Sequence, residues 1–360
     1  MEMTHRERLI NAMRGQETDR LPWSPFLAYY FEHLPQPVQD RGQLPYLLEL
    51  GADPLLRGFT QLFDTTFEGC TVTEKQCGLK KYTSYETKVG TLTKEFTFST
   101  NANSWFLTGH PVKEEEDFKV LQYLAEHAVV TEKLREFEEE NCQLGENGLH
   151  LPLLGIFGKT AFQSMVEQWC GTVDLVYALA DFPEVVEECL NAIWEKDQEA
   201  VEISVKGSAE GFIFWEDSST TNISPELFDK YTAPEVNRWG DVIHSHDKLL
   251  VHHACGHLRD LLPRMAKTSI DVIESISPPP TGNIDLPEAI TLLPEHIGLI
   301  GGIEPTFFVN CSCEELEQRV RDLAAAMKGR RFVLANSDSC PPEVPYEKFG
   351  QVSELVKTLR

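Results

Sequence analysis

Lys248-Leu249-Leu250-Val251-His252-His253-Ala254-Cys255-Gly256 starts as an apolar run the length of a short buried strand. It ends in His-x-Cys-Gly, which puts two soft metal-binding side chains at the C-terminal tip of that strand. Residues i and i+2 of a strand share a face, so His253 and Cys255 are predicted to point together, with His252 turned away from them. Phe332-Val333-Leu334-Ala335 is a second short apolar run, and it leads into Asn336-Ser337-Asp338-Ser339-Cys340-Pro341-Pro342. With both tips at one pocket, His253, Cys255 and Cys340 would form a Cys2His set. Three protein ligands are what a catalytic zinc ion uses when its fourth position stays open.

Strand-like and helix-like segments alternate around this stretch. Residues 149–157, 211–215, 269–274 and 297–302 are further apolar runs. Helical patterns separate them, among them the Ser224-Pro225-Glu226 start and a helix from Ser312, capped by Glu315, that runs to Lys328. Such alternation predicts an α/β fold with a parallel sheet, and about eight strand candidates predict a (β/α)8 TIM barrel. An N-terminal helix is predicted over residues 4–13, with Thr4 and Glu7 as a capping box and Gly15 as its stop. Residues 23–30 are predicted as a first strand and 53–59 as a second, with a basic residue near its end. The period-2 pattern from Thr71 to Thr100, with Gly90 at a turn, predicts a β-hairpin inserted near the N-terminal part of the barrel. Residues 117–142, rich in Glu, read as one helix. No repeat or linker interrupts the pattern, so residues 1–360 are expected to be a single barrel domain.

A barrel puts its chemistry at the C-terminal ends of its strands. Glu274, Glu216 and Asp217 are carboxylates at such ends. Glu274 could be a fourth zinc ligand displaced by substrate, a hydrogen-bond partner of His253, or a contact to substrate; an ion pair in the rim is the plain alternative for all three. Phe26, Tyr29 and Tyr30, in an unusually aromatic segment, and Trp215, at another strand end, are candidates for the wall of a substrate pocket, with core packing as the alternative. Cys311-Ser312-Cys313 lies at a helix start away from the rim and reads as structural.

The formal charge of −25 argues against nucleic acid and anionic membranes as partners. No run approaches the roughly 18 apolar residues of a membrane span. The first residues, Met1-Glu2-Met3-Thr4-His5, lack an apolar signal segment, and the nine cysteines are scattered and odd in number. Reduced thiols in a cytoplasmic protein are therefore expected.

Several of these stretches together resemble the uroporphyrinogen decarboxylase superfamily: Met3-Thr4-His5-Arg6-Glu7-Arg8, Ser224-Pro225-Glu226-Leu227-Phe228, His253-Ala254-Cys255-Gly256, Gly301-Gly302-Ile303-Glu304-Pro305 and Cys340-Pro341-Pro342. The resemblance covers nearly the whole chain and implies one (β/α)8 barrel. The true decarboxylases carry an arginine-rich stretch after the first strand that grips the substrate's carboxylates. The matching stretch here, Ser24-Pro25-Phe26-Leu27-Ala28-Tyr29-Tyr30, has no arginine. The other branch, the cobalamin-dependent methyltransferases, binds zinc through His-x-Cys and a distant Cys, which implies His253, Cys255 and Cys340 here. The resemblance then implies an enzyme that moves a methyl group from a small methylated substrate, such as a methoxylated aromatic compound, to the Co(I) of a separate corrinoid protein. The sequence shows no corrinoid-binding domain of its own, so the corrinoid would come from a partner. Transfer in the opposite sense, to a thiol acceptor, uroporphyrinogen decarboxylation and a non-enzymatic binding barrel are the alternatives. Self-association into a homo-oligomer is left open.

Overall fold

The computed structural model describes residues 2–100 and 103–359. They fall into two compact units, one of residues 2–61, 134–153 and 205–359 and the other of residues 62–133 and 154–204. Among the described residues, no helix is long and apolar enough to cross a membrane.

The first unit is an α/β fold with parallel sheets. Its strands are β1 (Leu55–Arg57), β2 (Leu149–Leu151), β3 (Gly211–Glu216), β4 (Leu249–Ala254), β5 (Val272–Glu274), β6 (Gly298–Ile303) and β7 (Phe332–Asn336). β3 to β7 form one sheet in sequence order, and β1 pairs with β2. Single parallel bridges join Leu153 to Ile213 and Trp23 to Leu334. The Asp53 amide donates to Trp23 O at 2.7 Å. β4, β6 and β7 are buried along their whole length, which is why they read as unbroken apolar runs and not as an alternating pattern. One face of the strands supplies a core that includes Leu151, Ile213, Val251, Val272, Ile300 and Val333. Leu9, Ala12 and Met13 of α1 (His5–Arg14) join it.

The Thr4–Glu7 capping box and left-handed Gly15 bound α1 as the sequence predicts. Behind the helix lies a buried ionic network. Asp53 accepts from Arg8 Nη1 at 2.6 Å, Arg20 Nη1 at 2.8 Å and the Trp23 amide at 3.0 Å, and its Oδ1 lies 2.7 Å from His5 Nδ1. Arg8 also donates to Asp19 at 2.6 Å.

Two local expectations change. Residues 23–30 do not form a full strand: the ladder stops after the Trp23 bridge, and Ala28–Glu32 is helical. After the Ser24 amide's bond to Leu334 O at 2.9 Å, Pro25 has no amide hydrogen to give and the Phe26 amide is taken by the Asn336 side-chain Oδ1 at 2.9 Å in place of a strand carbonyl. The Glu-rich stretch is two helices, Glu115–Glu126 and Leu134–Leu144, split by the strand Ala128–Glu132. Consecutive β-branched residues, Val129-Val130-Thr131, favour that break.

In the second unit, Cys70–Cys77, Lys80–Thr87, Gly90–Ser99 and Ser104–Gly109 form a four-stranded antiparallel sheet, and Phe63–Phe67 pairs antiparallel with Ala128–Glu132. Lys94 is buried there with its ammonium 3.6 Å from the centre of the Trp169 ring.

Candidate metal centre

Trp215, His253 and Glu274 are register partners across β3, β4 and β5. Alternation along β4 sends its two histidines apart. His252 stacks on Phe214 with ring centres 4.1 Å apart. Its Nε2 lies 3.1 Å from both Glu216 Oε2 and Ser218 Oγ. Glu216 is therefore engaged by the histidine that faces away from the metal-binding side. The Glu216 carbonyl accepts from the Cys255 amide at 3.2 Å, which fixes the backbone just beyond the strand tip.

His253 is buried and makes the central contact. Its Nδ1 lies 2.8 Å from Glu274 Oε2, and Glu274 Oε1 lies 2.6 Å from Arg57 Nε. Arg57 and Glu274 are both almost fully buried. Burial raises a carboxyl's pKa, but the Arg57 guanidinium and the His253 hydrogen bond outweigh it and hold Glu274 below the ordinary range. Burial would lower the His253 pKa; the hydrogen bond and charge of Glu274 prevail and raise it. An ionised Glu274 makes Nδ1 the protonated nitrogen and leaves Nε2 as the donor for a metal. Nε2 is the atom that faces Asp338, with Oδ1 at 3.9 Å.

Donor atoms of His253, Cys255 and Asp338 all lie within 4.8 Å of one another. Bonds to zinc of about 2.0 to 2.3 Å would draw them in by roughly 1 Å. An imidazole, a thiol and a carboxylate are each accepted by zinc, and a carboxylate behind the histidine is the usual support of such a ligand. The residues present therefore fit a zinc ion with a position left open.

The third member of this group is Asp338, where the sequence reading has Cys340. β7 ends at Asn336, so the period-2 rule lapses before either residue. Asn336 Nδ2 donates to Phe26 O and Asp338 O, and the Cys340 amide donates to Phe26 O at 2.9 Å. These bonds pin a turn in which Cys340 is fully buried, its thiol 3.8 Å from Pro341 O. Burial pushes that thiol's pKa up, so it favours the protonated form.

Of the aromatic candidates, Phe26 and Trp215 flank His253, with ring centres 5.7 and 6.0 Å from the imidazole. Tyr30 packs instead on Phe349 and Tyr46. Tyr29 is about half exposed and donates its amide to Ser339 Oγ at 3.0 Å. Phe59, absent from the sequence candidates, lies 5.7 Å from Trp215. Arg57 was also missed as a site residue; a lone arginine closing the apolar run Leu55-Leu56 was its signal. Beside Cys255 and Asp338 opens a cavity of about 310 Å³, walled by Asp217, Ser219, Thr221 and His257 among others.

The parallel α/β unit thus carries a candidate metal-binding group, His253, Cys255 and Asp338, at and just beyond its strand ends. The chain belongs to the uroporphyrinogen decarboxylase (URO-D) family, whose model matches residues 109–359. A uroporphyrinogen decarboxylase from Synechococcus sp. (strain CC9902) is 27% identical over 167 residues, 46% of this chain and 45% of that protein. One from Prochlorococcus marinus (strain MIT 9313) is 26% identical over 145 residues, 40% of this chain and 39% of that protein. These matches span less than half the length of the curated relatives. A methyltransferase from Methanosarcina mazei shares the fold, with a TM-score of 0.60 and 13% identity over 98% of each chain.

Proposed function

We propose that this chain is a zinc-dependent methyltransferase that takes a methyl group from a small methylated substrate and delivers it to the Co(I) of a separate corrinoid protein. The observation that carries this reading is the convergence of His253, Cys255 and Asp338, backed by the Glu274–Arg57 pair. The fold shared with a methyltransferase supports it. So does the lack of arginine between Ser24 and Tyr30, which leaves that stretch without a grip on a polycarboxylate. The parallel strands, with Trp23 as an eighth segment, would close into a (β/α)8 barrel with these side chains on its C-terminal rim.

Bound zinc would act as a Lewis acid on the heteroatom that carries the methyl group. The chain's own residues do the rest. Arg57 holds Glu274 ionised, Glu274 holds the His253 ring with Nε2 forward, and the Glu216 carbonyl holds Cys255. Phe26 and Trp215 form an apolar wall beside the imidazole, suited to a methoxylated aromatic ring.

The test supplies a reduced corrinoid protein, the zinc-loaded chain and a panel of methoxylated compounds, and follows the methyl-Co(III) absorption. Methyl-cobalt formation that needs both zinc and one of the compounds is the expected result. The second reading, uroporphyrinogen decarboxylation, is favoured by the names of the sequence relatives. Coproporphyrinogen formed by the purified chain would establish it instead.

A further inference from the structure

β5, β6 and β7 lie side by side in the sheet, so a contact between the tips of β5 and β7 has to cross β6. One such contact joins the two halves of the candidate metal group. Ser275 directly follows Glu274, whose carboxylate holds His253, and its Oγ donates to the carbonyl of Ser337, the residue before Asp338. β6 meets Ser337 with glycines. A Cβ on Gly301 would lie 3.3 Å from Ser337 Oγ, and the Gly302 amide donates to that Oγ at 3.0 Å.

Ser337 is fully buried and bonded on three sides. Its amide donates to Ile303 O at 2.8 Å, its Oγ accepts from Gly302, and its carbonyl accepts from Ser275. On the far side of the turn, Asn336 Nδ2 donates to Asp338 O, and Asp338 Oδ1 accepts from the Ser339 amide at 2.6 Å. Ser275 is also buried, and its amide donates to Ile300 O at 3.1 Å. It has φ +86, in the left-handed region that a residue other than glycine enters at a cost. Glycine takes such a backbone without strain. What serine adds here is the hydroxyl, and the hydroxyl is directed at Ser337.

We propose that Ser275 is a positioning residue of the candidate zinc centre: its hydroxyl fixes the Ser337 carbonyl, and with it the turn that brings Asp338 to His253. The inference rests on the zinc reading of His253, Cys255 and Asp338, and does not depend on methyl transfer. Groups that orient a metal's ligands typically change its affinity by about 10- to 100-fold when removed.

Zinc affinity is measured by competition with a chromophoric chelator on the full chain, as wild type, Ser275→Gly and Ser275→Ala, with thermal melts of the same samples. Both variants lack the hydroxyl, and only glycine also relieves the backbone. An affinity about tenfold below wild type is expected in both, although Ser275→Gly melts above Ser275→Ala. Wild-type affinity in Ser275→Gly overturns the proposal, because zinc binding would then follow the stability of the fold and not the hydroxyl. A cycle with Asp338→Ala tests the route: in that background Ser275→Gly should change the affinity less than twofold. A further tenfold loss there overturns the assignment to Asp338. A wild-type chain that holds no zinc overturns the proposal together with the metal centre. Methyl-cobalt formation is measured separately. Its absence with the affinity pattern intact sinks the methyl-transfer reading and leaves the role of Ser275 standing.

Discussion

Glu274 touches His253 with one carboxylate oxygen and Arg57 with the other, at 2.8 and 2.6 Å, in a setting almost without solvent. The pair therefore links a buried guanidinium to the imidazole of the candidate metal group. Glu274→Gln removes the charge that orients the ring, and a loss of zinc affinity of about 10- to 100-fold is expected. It also leaves Arg57 buried without a counter-charge, so a fall in stability of about 3 kcal/mol should accompany it. Competition with a chromophoric chelator measures the first effect and urea unfolding the second. Wild-type affinity in the variant would remove Glu274 from the support of the site.

Asp338 and Cys340 stand two residues apart, but only Asp338 shares the group with His253 and Cys255. Asp338→Ala is expected to lose most of its zinc after dialysis, as is Cys255→Ser, whereas Cys340→Ala should keep about one ion per chain. Elemental analysis of the purified variants decides it. The opposite ranking would restore Cys340 as the third ligand.

The network behind α1 predicts acid sensitivity. Hydrogen bonding to Arg8 holds Asp19 well below the ordinary carboxylate range. Burial would raise Asp53, but His5, Arg20 and Arg8 together bring it below its ordinary value. Both folded-state values lie under the unfolded ones, so the unfolded chain binds more protons in that window. The contribution is full above about pH 4 and is lost as pH falls through the folded values. Thermal melts of the wild type should decline across this range, and Asp53→Asn should start lower and depend less on pH. Parallel curves for the two proteins would refute the assignment.

Lys94 predicts the opposite kind of change. Burial pushes its pKa down to about 7, and no carboxylate among the described residues pairs with it. Between the unfolded lysine value of about 10.4 and pH 7, the unfolded chain takes up a proton that the folded one does not, so stability falls as pH falls through that window. Lys94→Met is expected to stabilise the protein by about 1 to 3 kcal/mol at pH 7, with part of the gain offset by the lost contact to the Trp169 ring. The gain should shrink towards pH 10. A destabilised variant would mean that the ring contact outweighs the cost of burial.

The apolar runs at Leu249, Gly298 and Phe332 announced buried parallel strands, because burial on both faces selects unbroken hydrophobic sequence. His253 and Cys255 were legible for the same reason: one lies in a strand and the other directly follows it, so the alternation of side chains carried their common direction. Beyond a strand tip that rule carries nothing. Asp338, not Cys340, shares the group with His253 in a turn where Asn336 Nδ2 bonds both Asp338 O, two residues on, and Phe26 O, 310 residues away in the chain. Arg57 likewise became part of the site only when β1 brought its guanidinium against Glu274. Local sequence determined the strands and the two candidate ligands they direct; long-range packing decided the third member of the group and the charges around it, because those depend on which loops the fold brings together.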